Sequence, residues 1–386
     1  MPKKVGFLYD KMLDREFIRS VIIAAAHDRT SRADVAPVLA DLDEYVERAY
    51  ELVATDSFVP SKPKEREIYD ESSQKCRKIK MVPFWPDGII QWMLVAAMKP
   101  VLMRGMYHWS CASIPDRGNK RVRERIKDIM RNDRKGTRYA AELDIAQYYP
   151  SICIKRLIWA LARKIKDKRL LKMIYSILES CGGGLAIGYY VCQWLANYYL
   201  ESLDHYIMTL PGVKYMTRHM DNITLFGGNK KLLHKARKLI AEFMEQRLGL
   251  TMKHNWQVYR TEFTPAVAKK HSMLDAETQR RRKPRMVSAV GYRFSHTHIV
   301  MRKRNFLRFT RQCRRAKKRL DNSKPIAFGQ ASGLLSRIGQ LRHCNSQKVR
   351  EKYVDPIGVK NLKETVRYES KRRQRAQQCV RAGGAT

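Results

Sequence analysis

The sequence predicts an α+β protein in which helices back an antiparallel sheet. Three observations lead there. Between residues 137 and 301, short alternating segments interleave with helical ones in the order helix, strand, helix, hairpin, helix, hairpin. Before residue 60 apolar side chains recur at helical spacing, and from Lys303 the chain reads as helical and basic. With 386 residues, 44% of them hydrophobic, the chain is long enough for two to three lobes.

Residues 1–60 read as a helical extension, with Phe7, Leu8, Met12 and Leu13 and then Phe17, Val21 and Ile22 on shared faces. A further helix runs near Val38–Leu52, where Leu39, Leu42, Tyr45, Val46 and Tyr50 form one stripe. Residues 59–87 hold four prolines and many charges, which favours short strands and loops. Ile89–Met103 reads as a buried helix, and TRYAAELDI at 137–145 as a strand. Leu157–Leu178 and Val191–Met208 are helical, separated by the breaker Gly182–Gly184. VKYMTRHMDNITLF at 213–226 reads as two strands joined at Met220-Asp221-Asn222, and helix 230–247 follows. The polar stretch 260–286, which carries RRRKPR, reads as a loop insertion. Strands return at Val287–Phe294 and Ile299–Met301. From Lys303 the chain is helical and basic, with a tail expected to be disordered at its end.

The formal charge is +40. An excess of that size repels itself strongly, so a polyanionic partner is expected, and nucleic acid is the natural one. The eight cysteines include no C-x-x-C pair, which argues against a zinc knuckle or a disulfide framework. The start MPKKVGFLYDKML has no apolar run of signal-peptide length, and no 18-residue apolar stretch occurs. A soluble cytoplasmic protein with no membrane contact is the expectation.

Two aspartates stand out. Asp144 ends the apolar strand AAELD, and Asp221 sits at the turn of an apolar hairpin. Nucleotidyl transfer needs two divalent cations a few ångströms apart. Mg²⁺ favours carboxylates together with water and substrate phosphates, so a protein need supply only two or three acidic groups on adjacent rigid elements.

The words around these aspartates are LDIAQYYPSI (143–152), GLAIGYYVCQWLANYYLESLD (184–204) and RHMDNITLFG (218–227). In order and spacing they resemble the palm motifs of reverse transcriptases. CRKIKMVPFWPDGIIQWML (76–94) resembles the fingers motif of that family, and VSAVGYRF (287–294) its primer-grip hairpin. The resemblance covers roughly residues 5–355 and rests on five motifs in order. It implies a right-hand polymerase: an amino-terminal extension to residue 60, fingers and palm over 61–301, and a basic helical thumb and tail over 302–386. It implies an RNA-directed DNA polymerase with RNA template, DNA product, dNTPs and two Mg²⁺ or Mn²⁺ ions. Asp144 and Asp221 are then catalytic metal ligands, joined by Asn222 and Ile145. Arg77, Lys78 and Lys80 are candidates for holding the triphosphate. Tyr149 would pack against the sugar and exclude a 2′-hydroxyl, and Ile187, Gly188 and Gln193 would lie at the nucleotide. Asn197, Gly291, Tyr292, Arg280, Arg281 and Arg282 are the nucleic-acid contacts expected.

Within that family, IGYYVCQ (187–193) resembles the signature of reverse transcriptases from diversity-generating retroelements, with Cys192 in place of serine. LGLTMKHNWQV (248–258) resembles a further segment of theirs with one extra residue. Such enzymes are bacterial or phage-encoded, misincorporate opposite adenine and work with a small basic oligomeric accessory protein. An aliphatic Ile187 in place of glutamine removes a hydrogen-bonding group there. Two departures keep other readings open. The hairpin reads Asp221-Asn222 rather than Asp-Asp, and no general acid is assigned, Lys253 and Trp256 being nearest to its place. The alternatives are a phage-defence type of reverse transcriptase and an inactive RNA-binding scaffold.

Overall fold

The computed structural model describes residues 4–30, 32–70, 75–263 and 265–382. They fall into two compact units, one of residues 1–125 and 135–260, the other of residues 126–134 and 261–386.

The first unit opens with helices Leu8–Lys11, Arg15–Ala26, Ala36–Ala40 and Leu42–Ala54. Ile18, Ile22, Val46 and Val53 on these helices are buried in the same apolar core as Leu94 and Met98 of helix Ile89–Arg104. The proline-rich stretch forms an antiparallel hairpin, β1 (Lys64–Asp70) and β2 (Lys75–Met81). Its register sets Glu65 against Lys80 and Glu67 against Lys78, so the strands carry opposite charges across the ladder.

The central sheet has the order β3-β5-β6-β4-β7, from β3 (Ser110–Cys111), β4 (Tyr139–Asp144), β5 (Tyr215–His219), β6 (Asn222–Gly227) and β7 (Gln257–Arg260). All its pairings are antiparallel except β3 with β5. β6 is buried from Ile223 to Gly227, as a central strand covered on both faces should be. Helix Tyr190–Tyr199 is buried almost throughout, and helix Lys230–Phe243 is capped by Asn229, whose side chain accepts from the Lys231 and Leu232 amides. The strands and hairpin expected at 137–145 and 213–226 are found. β7, the two-residue β3 and helix Asn119–Asn132 were not legible in the sequence.

The second unit holds an antiparallel meander, β8 (Val287–Ala289), β9 (Tyr292–Phe294) and β10 (Ile299–Met301). Helices Lys303–Asp321, Phe328–Leu341, Gln347–Tyr353 and Val359–Ala382 follow, with Phe309, Leu334 and Leu362 in their core. The stretch expected as a loop at 260–286 instead forms helices Pro265–Ser272 and Ala276–Arg282. For the second helix the physical reason is a cap: the Asp275 carboxylate accepts from the Thr278 amide at 2.9 Å and starts a helix whose own residues show no apolar stripe. The end of the tail, 383–386, lies outside the described residues. Among the described residues no helix is long and apolar enough to cross a membrane.

Candidate active site

The register of β4 and β6 sets Asp144 opposite Asn222, so the last residue of one strand meets the first residue after the hairpin turn. Met220 takes the left-handed conformation that closes this turn, with φ of 56°, and Asp221 follows it. The left-handed position therefore falls on Met220 and not on Asn222, which begins β6 and is exposed. Burial raises the Asp221 carboxyl above the usual carboxylate range, and the nearby charge of Asp144 pushes it the same way. Two like charges in a partly dry site repel unless a cation joins them.

One cation is already there. Lys253 Nζ donates to Asp144 Oδ2 at 2.6 Å, and its backbone amide donates to the Asp144 carbonyl at 2.8 Å. Sequence reasoning left Lys253 without a role, because 109 residues separate it from Asp144. Ala146 and Ile145 pair with Thr251 and Met252, and that short ladder puts the lysine beside the strand end. Asp144 Oδ1 stays buried with no hydrogen-bond partner. A buried carboxylate oxygen without a donor loses its hydration uncompensated, and a divalent cation is a fitting replacement. The donor set is all oxygen and the described residues contain no group of three or more metal-ligating side chains here. Water and substrate phosphates would complete the shell, as suits Mg²⁺. Asn222 spends its Nδ2 on Asp221 Oδ1 at 3.0 Å, which orients that carboxylate.

Tyr149 is half-buried beside this turn, its hydroxyl 3.9 Å from Met220 Sδ, and burial holds the phenol protonated far above its ordinary range. Tyr148 is core, with its hydroxyl on the Ala196 carbonyl. The GLAIG segment locks to its neighbours through backbone approaches that only glycine permits. A Cβ on Gly184 would lie 2.3 Å from the Pro150 carbonyl oxygen, and one on Gly188 2.1 Å from that of Lys80. Between them the Leu185 amide donates to the Tyr149 carbonyl and the Lys80 amide to the Ile187 carbonyl, at 2.8 and 2.9 Å. Ile187 and Gln193 are half-buried, so β2, the glycine turn and the Tyr149 segment form one connected frame.

Other expectations need correcting. Lys80 is not free for a triphosphate, since Nζ donates to the Cys181 carbonyl at 2.6 Å and lies 3.3 Å from Glu65. Strand alternation puts Lys78 on the Lys80 face and Arg77 on the other, and both are exposed. Asn197, expected at the nucleic acid, is fully buried. Its Nδ2 donates to the Ala112 carbonyl at 3.0 Å and its Oδ1 accepts from Arg218 Nη1 at 3.2 Å. In the second unit Tyr292 is buried too, its hydroxyl on the Gln340 carbonyl at 3.0 Å, next to Gly291 with φ of 87°. Arg280 is exposed in its short helix, and the side chains of Arg281 and Arg282 lie outside the described residues.

Arg218 is the residue the sequence reading missed altogether. It is fully buried, binds both Asp204 oxygens at 2.7 Å and donates to the Met220 carbonyl at 2.9 Å. It thus ties the turn carrying Asp221 to helix Glu201–Thr209. Burial opposes its charge, but Asp204 outweighs burial and holds the guanidinium above its ordinary range. An arginine within the strand-forming run YMTRH, three residues before Asp221, was the available signal.

No family model and no curated protein matches the sequence. Among solved structures the chain is similar to apo telomerase from Candida tropicalis at 12% identity and a TM-score of 0.45, over 80% of this chain and 56% of that one. It is similar to telomerase from Candida albicans with a TWJ fragment of telomeric RNA at 12% identity and a TM-score of 0.44, over 77% and 57%. A Cas6-RT-Cas1–Cas2 complex matches at 16% identity and a TM-score of 0.35, over 62% and 26%. The chain spans little more than half the length of the telomerases it matches.

Proposed function

We propose that this chain is a template-copying polymerase of the reverse-transcriptase type, with Asp144 and Asp221 holding two divalent cations. The observation that carries the reading is the buried, partnerless Asp144 Oδ1 on a strand end that faces the Asp221 turn. Bound Mg²⁺ or Mn²⁺ would supply activation of a 3′-hydroxyl and neutralisation of the leaving phosphates. The chain's own residues do the positioning. Asp144 presents oxygens from the end of β4 and Asp221 from the turn that leads into its paired strand β6, and Asn222 turns the Asp221 carboxylate. Tyr149 walls the space beside the turn where a sugar would lie, which favours deoxynucleotides. Exposed Lys78 on β2 offers a cation for the triphosphate, and the net charge of +40 suits an RNA template with its DNA product.

The finer reading is the error-prone enzyme of a diversity-generating retroelement, acting in a bacterial or phage-infected cytoplasm with a small basic oligomeric accessory protein. Its support is the run from Ile187 to Gln193 and the aliphatic side chain of Ile187. The test is extension of a primed RNA template with dNTPs or NTPs, followed by sequencing of the product. Deoxynucleotides should be used and ribonucleotides refused, with errors concentrated opposite template adenine. Ile187→Gln should lower those errors about tenfold, equivalent to ~1.4 kcal/mol of differential transition-state binding. Errors that are rare or evenly spread over the four bases would favour a phage-defence type of enzyme. No incorporation with either metal would leave an RNA-binding scaffold, the reading that the Asp221-Asn222 pair supports.

A further inference from the structure

Beyond the carboxylates, at the outer strand of the central sheet, two arginines gather around one indole and a third, Arg117, lies within electrostatic reach of Arg121. The Arg121 and Arg125 guanidiniums lie 5.1 and 4.4 Å from the Trp109 ring centre, and Arg125 also lies 5.3 Å from that of Tyr215. Arg117 donates to the Tyr107 carbonyl at 3.2 Å, and Arg121 Nη2 lies 2.6 Å from His108 Nε2. Burial lowers the His108 pKa, and Arg121, Arg117 and Arg125 lower it further, so the ring adds no charge and accepts from Arg121. Among the described residues none of the three arginines meets a carboxylate, and the buried Nε atoms of Arg121 and Arg125 have no acceptor. All three are half-buried and so remain reachable.

Three like charges close together are stable in a fold when an anion shares them. Arg121 and Arg125 stand one turn apart on helix Asn119–Asn132, about 5–6 Å between Cβ atoms, a step suited to successive phosphates of one strand. Trp109 is itself partly exposed, so an aromatic ring reaches the surface beside the guanidiniums, a feature that free phosphate would not need. We infer that Arg121 and Arg125, stacked on Trp109, and the neighbouring Arg117 form a binding site for the phosphate backbone of single-stranded nucleic acid, separate from the carboxylate pair. The strand beneath is bonded to the catalytic hairpin: the Trp109 carbonyl accepts from the Arg218 amide and the Cys111 carbonyl from the Met220 amide, at 3.0 and 3.3 Å. A strand held here is therefore held against a rigid part of the frame that carries Asp221.

The inference does not depend on polymerisation, and its test avoids it. Binding of a labelled single-stranded RNA to the full chain is measured in EDTA, without nucleotides, across a salt series. Arg121→Gln/Arg125→Gln should weaken binding and shallow the slope of log K against log salt by ~1.4, at roughly 0.7 per lost phosphate. Arg121→Lys/Arg125→Lys should keep most of the slope, because charge rather than fold carries it. An unchanged slope in the glutamine pair, or an equal loss in the lysine pair, overturns the site. If the glutamine pair melts early, Arg117→Gln alone should shallow the slope by ~0.7, and no change there overturns it equally. Inorganic phosphate at constant ionic strength should compete weakly. Full displacement of the RNA by millimolar phosphate would make this a free-phosphate site and overturn the assignment to a strand.

Discussion

Arg218 and Asp221 lie three residues apart on one hairpin, and both are charged groups withdrawn from water. Around Arg218 the hydrogen bonds satisfy the charge: two Asp204 oxygens, the Asn197 amide oxygen and carbonyl, and the Met220 carbonyl. Around Asp221 the opposite holds. The strongest charge acting on it is another carboxylate, burial and that charge raise its pKa, and Asp144 keeps a buried oxygen with no donor. A satisfied buried ion pair specifies structure, whereas an unsatisfied one stores a demand for a ligand. The strand from 215 to 219 spends its buried charge on rigidity so that the turn beyond it can hold an incomplete site in place.

The comparison can be broken at either end. The largest effect should come from the incomplete site: Asp144→Ala or Asp221→Ala should cut nucleotide incorporation by ~10³-fold or more, since each removes several kcal/mol of charge stabilisation at the transition state. Thermal melting of the metal-free Asp221→Ala chain should stay level or rise, because one of two like charges is gone, while Asp144→Ala should lose no more than the screened Lys253 pair is worth. A sharp fall in the melting temperature would show that these carboxylates are structural.

Arg218→Met is the reverse case. It strands Asp204 in the core and should cost about 3–5 kcal/mol of stability, read from denaturant midpoints. A loss below ~1 kcal/mol would mean that the network is not what fixes the turn.

The smallest effect belongs to Lys253, which stands between the two cases as a partial counter-charge, about one-third exposed. Lys253→Gln should cost the metal-free chain only about 1 kcal/mol, because solvent screens the pair, while Mn²⁺ binding tightens. Weaker Mn²⁺ binding in that variant would mean that the lysine supports the site rather than competing for Asp144.

The same contrast explains what the sequence disclosed. β4, β5 and β6 were legible because each is a short strand-forming segment bounded by polar or turn residues, and the aspartates were legible because they stand where those segments end. Asn197 was misplaced because a buried amide and a surface amide look alike until the partner, Arg218, is known. Lys253 and β7 were illegible for a related reason: a side chain acquires its role from a strand more than a hundred residues away. The helix Ala276–Arg282 rests on a cap at Asp275 and not on an apolar face, so periodicity had nothing to detect there.

The central claim is that the two carboxylates form a divalent-cation site, and Mn²⁺ titration followed by electron paramagnetic resonance tests it most directly. Because the Asp221 pKa is raised, protons compete with the metal at pH values above the ordinary carboxylate pKa of about 3.9. Mn²⁺ affinity should therefore strengthen as pH rises through that raised pKa and then level off. For the same reason the metal-free chain should lose stability across the same window, since the folded form binds the extra proton. Asp144→Ala and Asp221→Ala should each abolish the high-affinity uptake while the fold remains. Equal Mn²⁺ uptake by the parent and both variants, with no dependence on pH in that window, would contradict the account.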